Sequence, residues 1–321
     1  MTTATPASRP DIWMPGALTP YVIEQVEQRG RLLRGWEIPD PDAWLAEHGG
    51  NIRVLVTGGP YGTSRALMER LPALEAIVSH GVGYDTIDIE AARERGIAVS
   101  NTPGVLDDCV ADLALTLLLS TARRLCEADR YVRSGQWEAK GFGLSASLRG
   151  KRCGILGLGS IGVQIARRAE AFGMEIAYCN RKPRPDVPTH YRHVADPIAL
   201  ARESDFLVVA TPGGAQTRHL VDARVLEALG PAGHLINISR GSVVDEAALI
   251  DALAQGRIAG AGLDVYTDEP RVPQALRAMD NVTLTPHMAS ATRETRRAMA
   301  DLLLANLDAW LARGALLTPV V

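Results

Sequence analysis

Apolar residues along this chain gather into short continuous runs instead of alternating with polar ones. Nine runs carry the pattern: IRVLVTGG (52–59), LEAIVSHG (74–81), IAVSNTP (97–103), RCGILGLG (152–159), EIAYCN (175–180), FLVVATP (206–212), HLINIS (234–239), GAGLDVY (260–266) and NVTLTPH (281–287). A strand that is apolar on both faces belongs in a parallel sheet covered by helices on each side. The stretches between supply those helices. SIGVQIARRAEAFG and DEAALIDALAQG both have helical spacing, and the second carries Asp245 and Glu246 at its start and Gly256 past its end. Strands alternating with helices predict an α/β, doubly wound fold. The stretch from about 106 to 132 reads as one long helix linking two domains. The segment after it, SGQWEAKGFGLSASLRG (134–150), mixes glycines with large apolar residues. It is either an arm packed on a second subunit or an ordinary surface loop.

Composition narrows the picture. A chain of 321 residues accommodates two domains. Hydrophobic residues make up 46%, which is ample for their cores. A net charge of −3 and a pI near 6.2 argue against a general nucleic-acid binder, while leaving room for a local basic pocket. The start, MTTATPASRPD, lacks the regions of a signal peptide. The longest apolar run, from Leu113, meets Arg123 and Arg124 before it could span a bilayer. Cys109, Cys126, Cys153 and Cys179 show neither CxxC pairing nor zinc spacing. They read as reduced thiols of a cytoplasmic protein with no metal site.

CGILGLGSIG puts Gly157, Gly159 and Gly162 in the G-x-G-x-x-G spacing, after an apolar strand and before a helix. The first glycine permits the tight turn, the second lets a pyrophosphate approach, and the third lets helix and strand pack closely. The helix opening at Ser160 and Ile161 offers N–H groups to the phosphates. At the end of the next strand such sites usually carry an acid, which accepts from the ribose 2′-hydroxyl and repels a 2′-phosphate. Here stand Asn180, Arg181 and Lys182. An amide and two cations favour NADP(H), with NAD(H) still possible.

Arg240, Glu269 and His287 stand at or just beyond strand ends in the second half. Catalytic groups of open α/β sheets collect outside the carboxyl ends of strands. Each residue has a plain alternative: a helix cap or ion pair with Asp245, a surface acid, a buried histidine.

Together with NTPGVLDDCVADLALTLLL, GLGSIG, INISRGSVVDEAALIDAL, GAGLDVYTDEP and TPHMASAT, they make the chain resemble the D-isomer-specific 2-hydroxyacid dehydrogenases. VSHGVGYDTIDI, CEADRYVRSGQW and LLTPVV narrow the resemblance to the NADP-linked hydroxyphenylpyruvate reductases and glyoxylate/hydroxypyruvate reductases. The resemblance implies a Rossmann cofactor domain (105–291) inserted in a flavodoxin-like substrate domain (1–104 with 292–321). It implies a homodimer in contact through 105–148, acting on a small 2-oxo or 2-hydroxy acid. His287 would be the general acid, Glu269 the group that holds its ring, and Arg240 the anchor of the substrate carboxylate. Ser79, Val82 and Gly83 would contact substrate. Thr211, Pro212, Thr217, Ile238 and Ser239 would line the cofactor, and Asp264 would meet the nicotinamide carboxamide. Met288 either lines the pocket or packs below His287. Trp13, Met14 and Tyr61 lie near the stretch that matches least and are open candidates for substrate contact. Competing readings on the same scaffold are a formate- or phosphite-type dehydrogenase and a dinucleotide-sensing, co-repressor-like binding protein.

Overall fold

The computed structural model describes residues 9–321; the remainder of the N-terminal stretch read for a signal peptide lies outside the described residues. The chain divides into two compact units. One runs to Leu106 and is completed by Thr292–Val321, and the other is Asp107–Ala291.

The first unit holds a five-stranded parallel sheet: β1 (Asp11–Met14), β2 (Arg31–Arg34), β3 (Val54–Gly58), β4 (Ala76–His80) and β5 (Ala98–Ser100), in the order β2-β1-β3-β4-β5. That is the flavodoxin-like order. β3 and β4 are buried along their whole length, as strands covered on both faces must be. Each fully buried Val, Leu or Ile there contributes roughly 1.5–3 kcal/mol relative to exposure. The C-terminal helix Arg293–Arg313 packs Leu303, Leu304 and Leu307 against Val54, Val56 and Val78. Beyond it the chain returns to β5. Val99 N–H donates to Val321 O at 3.0 Å, and Val320 N–H donates to Val99 O at 2.7 Å. Asn306 Oδ1 accepts from the N–H groups of Leu317 and Thr318, which fixes that return.

The second unit holds a seven-stranded parallel sheet: β6 (Arg152–Leu156), β7 (Glu175–Cys179), β8 (Arg192–His193), β9 (Phe206–Val209), β10 (His234–Asn237), β11 (Gly260–Leu263) and β12 (Val282–Leu284). The order is β12-β11-β10-β9-β6-β7-β8, so the direction of winding reverses between β6 and β9. Ligands of doubly wound sheets bind at that reversal.

All nine predicted runs contain observed strands. β1, β2 and the two-residue β8 were not predicted, because each is too short or too polar to register as an apolar run. The single long helix expected over 106–132 is two, Asp107–Ala122 and Leu125–Arg133. Arg124 breaks it with a left-handed backbone, φ 51°. Its guanidinium pairs with Glu127 and sits 4.7 Å over the Phe142 ring, contacts that hold the bend. Among the described residues no helix is long and apolar enough to cross a membrane.

Candidate active site

The glycine loop leaves β6 at the winding reversal. Gly157 has φ 95°, and a Cβ there would lie 2.8 Å from Thr211 N. A Cβ on Gly162 would lie 2.3 Å from Gly157 O, so only glycine lets the helix Ser160–Ala171 start this close to the strand. A Cβ on Gly159, by contrast, meets no protein atom within 4 Å. The space in front of the loop is free, and no side chain caps the helix start. Thr211 Oγ1, across from Gly157, is enclosed and has no hydrogen-bond partner. Free helix N–H groups and an unspent hydroxyl suit a dinucleotide pyrophosphate.

Asn180 faces this loop. Its Oδ1 accepts from Leu158 N–H at 2.7 Å, and its Nδ2 donates to Leu158 O at 3.3 Å. Arg184, absent from the sequence-derived set, also donates to Leu158 O, at 2.9 Å. Arg181 and Lys182 are exposed, and Arg181 reaches Gln216 Oε1 at 3.4 Å. The Pro212 turn is closed by Thr217 Oγ1 donating to Pro212 O at 2.7 Å.

Arg240 and Glu269 are brought together by close backbone packing. A Cβ on Gly241 would fall 1.9 Å from the carbonyl carbon of Tyr266, so the turn after Arg240 lies directly on the loop that carries Glu269. Asn237 shapes the preceding turn: its Oδ1 accepts from Ser239 N and Oγ, and its Nδ2 donates to Arg240 O. Ile238 and Ser239 are buried beside it. Arg240 has extended backbone and donates to Ser239 O at 2.7 Å.

His287 completes the group. Its Nδ1 lies 2.6 Å from Glu269 Oε2, and Glu269 Oε1 accepts from Tyr266 N–H at 3.0 Å. Burial pushes the Glu269 carboxyl up. The His287 and Tyr266 hydrogen bonds and the charges of His287 and Arg240 outweigh it, so the net shift is below the usual carboxylate value. A carboxylate on Nδ1 leaves Nε2 as the free ring nitrogen. Guanidinium, carboxylate and imidazole thus share one neighbourhood within the second unit.

Asp264 is completely buried. Its carboxylate accepts from Thr285 Oγ1, Met288 N and Ala289 N within the protein. Met288 is 42% exposed.

In the first unit, the 81–83 loop is held from behind. Gly81 N–H donates to Thr102 Oγ1 at 3.1 Å, and Asn101 Nδ2 donates to Val82 O at 2.8 Å. Val82 and Gly83 are partly exposed, whereas Ser79 is buried. Trp13 and Met14 are core residues, Trp13 stacked 5.6 Å from Trp44, and so do not line a pocket. Tyr61 is 44% exposed, with its hydroxyl on Ala17 O. Among the described residues no cluster of three or more His, Cys, Asp or Glu could hold a metal ion.

A winding reversal with a glycine loop, in one unit with a histidine paired to a carboxylate and an arginine, defines the dinucleotide-linked dehydrogenases as a class. The comparisons with known proteins are specific. The family model for the D-isomer specific 2-hydroxyacid dehydrogenase NAD binding domain matches residues 115–289. The chain is 49% identical over 304 residues to glyoxylate/hydroxypyruvate reductase A of Arabidopsis thaliana, covering 95% of this chain and 96% of that one. It is 45% identical over 304 residues to hydroxyphenylpyruvate reductase of Plectranthus scutellarioides, with the same coverage of 95% and 96%. It is also similar to the crystal structure of an NADPH-dependent glyoxylate/hydroxypyruvate reductase from Sinorhizobium meliloti in complex with NADP and malonate. The TM-score is 0.91 at 46% identity, covering 98% of this chain and 97% of that one. The chain belongs to the D-isomer specific 2-hydroxyacid dehydrogenase family.

Proposed function

We propose that the protein is an NADPH-dependent reductase that converts a 2-oxo acid to the D-2-hydroxy acid, with glyoxylate, hydroxypyruvate and aryl pyruvates as the substrate class. One observation carries the reading: His287 Nδ1 stands 2.6 Å from Glu269 Oε2, in a neighbourhood that also feels the charge of Arg240. The names and the NADP complex of the relatives support the substrate class and the cofactor.

The dihydronicotinamide, when bound, supplies the hydride. Arg240 binds the substrate carboxylate and draws electron density from the 2-oxo group. Protonated His287 gives its Nε2 proton to the C2 oxygen as the carbon is reduced, and takes it back in the reverse direction. Glu269 orients the ring through Nδ1. Gly157, Gly159, Ser160 and Ile161 would hold the pyrophosphate, with Thr211 beside it. Arg181 and Lys182 would meet the 2′-phosphate, while Asn180 and Arg184 brace the loop behind it.

The finer reading is a cytoplasmic homodimer. The four cysteines are free thiols, as a reducing compartment maintains. Leu125, Val132, Trp137 and Leu144 are 57%, 55%, 64% and 98% exposed in one stretch, more apolar surface than a solvated loop carries. A cavity of about 380 Å³ adjoins them, lined by Arg124, Leu144, His234 and Asn281. It opens by the N-terminal ends of β10 and β12, away from His287, and fits a subunit contact better than a catalytic pocket.

The test is steady-state NADPH and NADH oxidation with glyoxylate, hydroxypyruvate, phenylpyruvate and 4-hydroxyphenylpyruvate. Turnover that prefers NADPH and disappears in H287A is expected. No turnover with any of the four would leave a dinucleotide-binding protein as the better description.

A further inference from the structure

A carboxylate shut away from water needs a donor on each oxygen, and Asp264 shows the usual arrangement, with three donors shared between its two. Asp107, the first residue of the helix Asp107–Ala122, lacks it. Asp107 is 8% exposed, its carboxyl accepts from the Ser160 hydroxyl, and its Oδ1 is enclosed with no hydrogen-bond partner. Ser160 opens the helix Ser160–Ala171 directly after the glycine loop, the place assigned above to the pyrophosphate. The charges around the pair do not compensate it. On its own helix, Asp108 repels an ionised Asp107. On the helix Ser160–Ala171, Arg168 is taken by Asp108 at 2.8 Å and by Asp112 at 2.7 Å. The loop Gly157–Gly162 carries no titratable side chain. Burial lifts the Asp107 carboxyl above the usual carboxylate value; the Ser160 hydrogen bond pulls it back in part, and the charge of Asp108 adds to the rise. The start of its own helix favours the ion. The group is poised between its two forms.

We propose that the Asp107–Ser160 pair is a proton gate on the dinucleotide: the cofactor binds tightly only when Asp107 holds a proton. In the ionised form the Ser160 O–H is spent on the carboxylate, and a negative charge stands one hydroxyl away from the incoming pyrophosphate. One proton taken from solvent reverses both. The acid O–H donates to Ser160 Oγ, which leaves Ser160 free to donate its own O–H to a phosphate oxygen, and the repelling charge is gone. Linkage fixes the direction. An anion bound beside Asp107 raises its value further, so cofactor binding takes up part of a proton, and affinity falls as pH rises from the free value toward the bound one. The inference rests on Ser160 meeting the pyrophosphate, as proposed above.

The test is isothermal titration calorimetry of the full-length enzyme with NADP+ and also with NAD+, which lacks the titrating 2′-phosphate. Each titration is run in two buffers of different ionisation enthalpy, which counts the protons. Wild type should take up part of a proton with both cofactors, and its Kd should rise by about tenfold from about pH 5 to about pH 8. Asp107→Asn carries a permanent N–H donor toward Ser160 Oγ and no charge. It should bind at alkaline pH as tightly as wild type does in acid, with no proton uptake. Asp107→Ser, also neutral, should show the same flat profile and decides the matter if D107N fails to fold. Ser160→Ala should weaken NADP+ by about tenfold in acid, where wild type uses the hydroxyl. A wild type that binds both cofactors with no proton uptake and a flat Kd overturns the gate. So does a D107N that keeps the wild-type slope, or one weaker than wild type at every pH, the result a direct carboxylate contact gives. An S160A that matches wild type in acid would instead sink the placement of Ser160 at the pyrophosphate.

Discussion

Glu269→Gln isolates the charge of the carboxylate while keeping its size. The contact at stake is the 2.6 Å pairing of Oε2 with His287 Nδ1. Two unit charges about 4 Å apart at an effective dielectric near 20 attract by about 4 kcal/mol. His287 is 48% exposed and Glu269 32%, so water screens much of that, and about 1.5 kcal/mol is a fair net figure. At about 1.4 kcal/mol per factor of ten in rate, its loss lowers kcat roughly tenfold. Geometry adds to this. A glutamine that accepts from Tyr266 N–H turns its own N–H toward Nδ1, so the ring loses the acceptor that orients it. The expected outcome is NADPH-dependent reduction with kcat near neutrality lower by about tenfold. Stability moves as well. Glu269 is held below the usual carboxylate value, so its contribution is present above the unfolded value and lost as pH falls through the folded one. E269Q should therefore be less stable at neutral pH and converge with wild type in acid. Wild-type kcat in E269Q would refute the assignment of Glu269 as the group that orients His287.

Three further outcomes are expected. Gly162→Ala places a methyl group 2.3 Å from Gly157 O, so the loop must shift, and NADPH binding measured by fluorescence should be lost while the fold persists by circular dichroism. Asn180→Asp with Arg181→Ala should reverse cofactor preference, NADPH weakening by roughly 10–100-fold as a charge-assisted phosphate contact is lost and NADH improving; unchanged kinetics with both would end that reading. His80 is 7% exposed, and burial, then the charge of Arg296, push its imidazole down to about 4. Its neutral form is the one folded into the protein, so stability is full above pH 6.5 and falls by about 3 kcal/mol as pH drops toward 4; His80→Leu should flatten that part of a denaturation-versus-pH curve.

The sheet-forming runs were legible because a doubly covered strand is apolar throughout, and that signal survives in one sequence. β1 and β2 escaped notice because their four residues are too few to form a pattern, and β2 ends in arginines. The break at Arg124 was invisible for a different reason: a left-handed residue inside a helical stretch depends on partners, here Glu127 and Phe142, that spacing does not reveal. At the site, strand-end position marked Arg240, Glu269 and His287 as candidates, and only the family resemblance gave them roles. What draws them together was not. Gly241 lying against Tyr266, Asn237 bracing its own turn, and Asp264 enclosed by the 285–289 loop are all close contacts between segments distant in the chain. Arg184 is the third cation of NRKPR, and its turn back onto Leu158 O is set by the fold and not by spacing.

The return of the C-terminal segment to β5 has a consequence for how the molecule is made. Val320 and Val321 close a sheet whose other strands were synthesised before the whole of Asp107–Ala291. During translation the inserted unit can finish folding while its host still lacks the helix Arg293–Arg313 and the edge that follows. A nascent chain should thus become protease-resistant in its middle before its beginning.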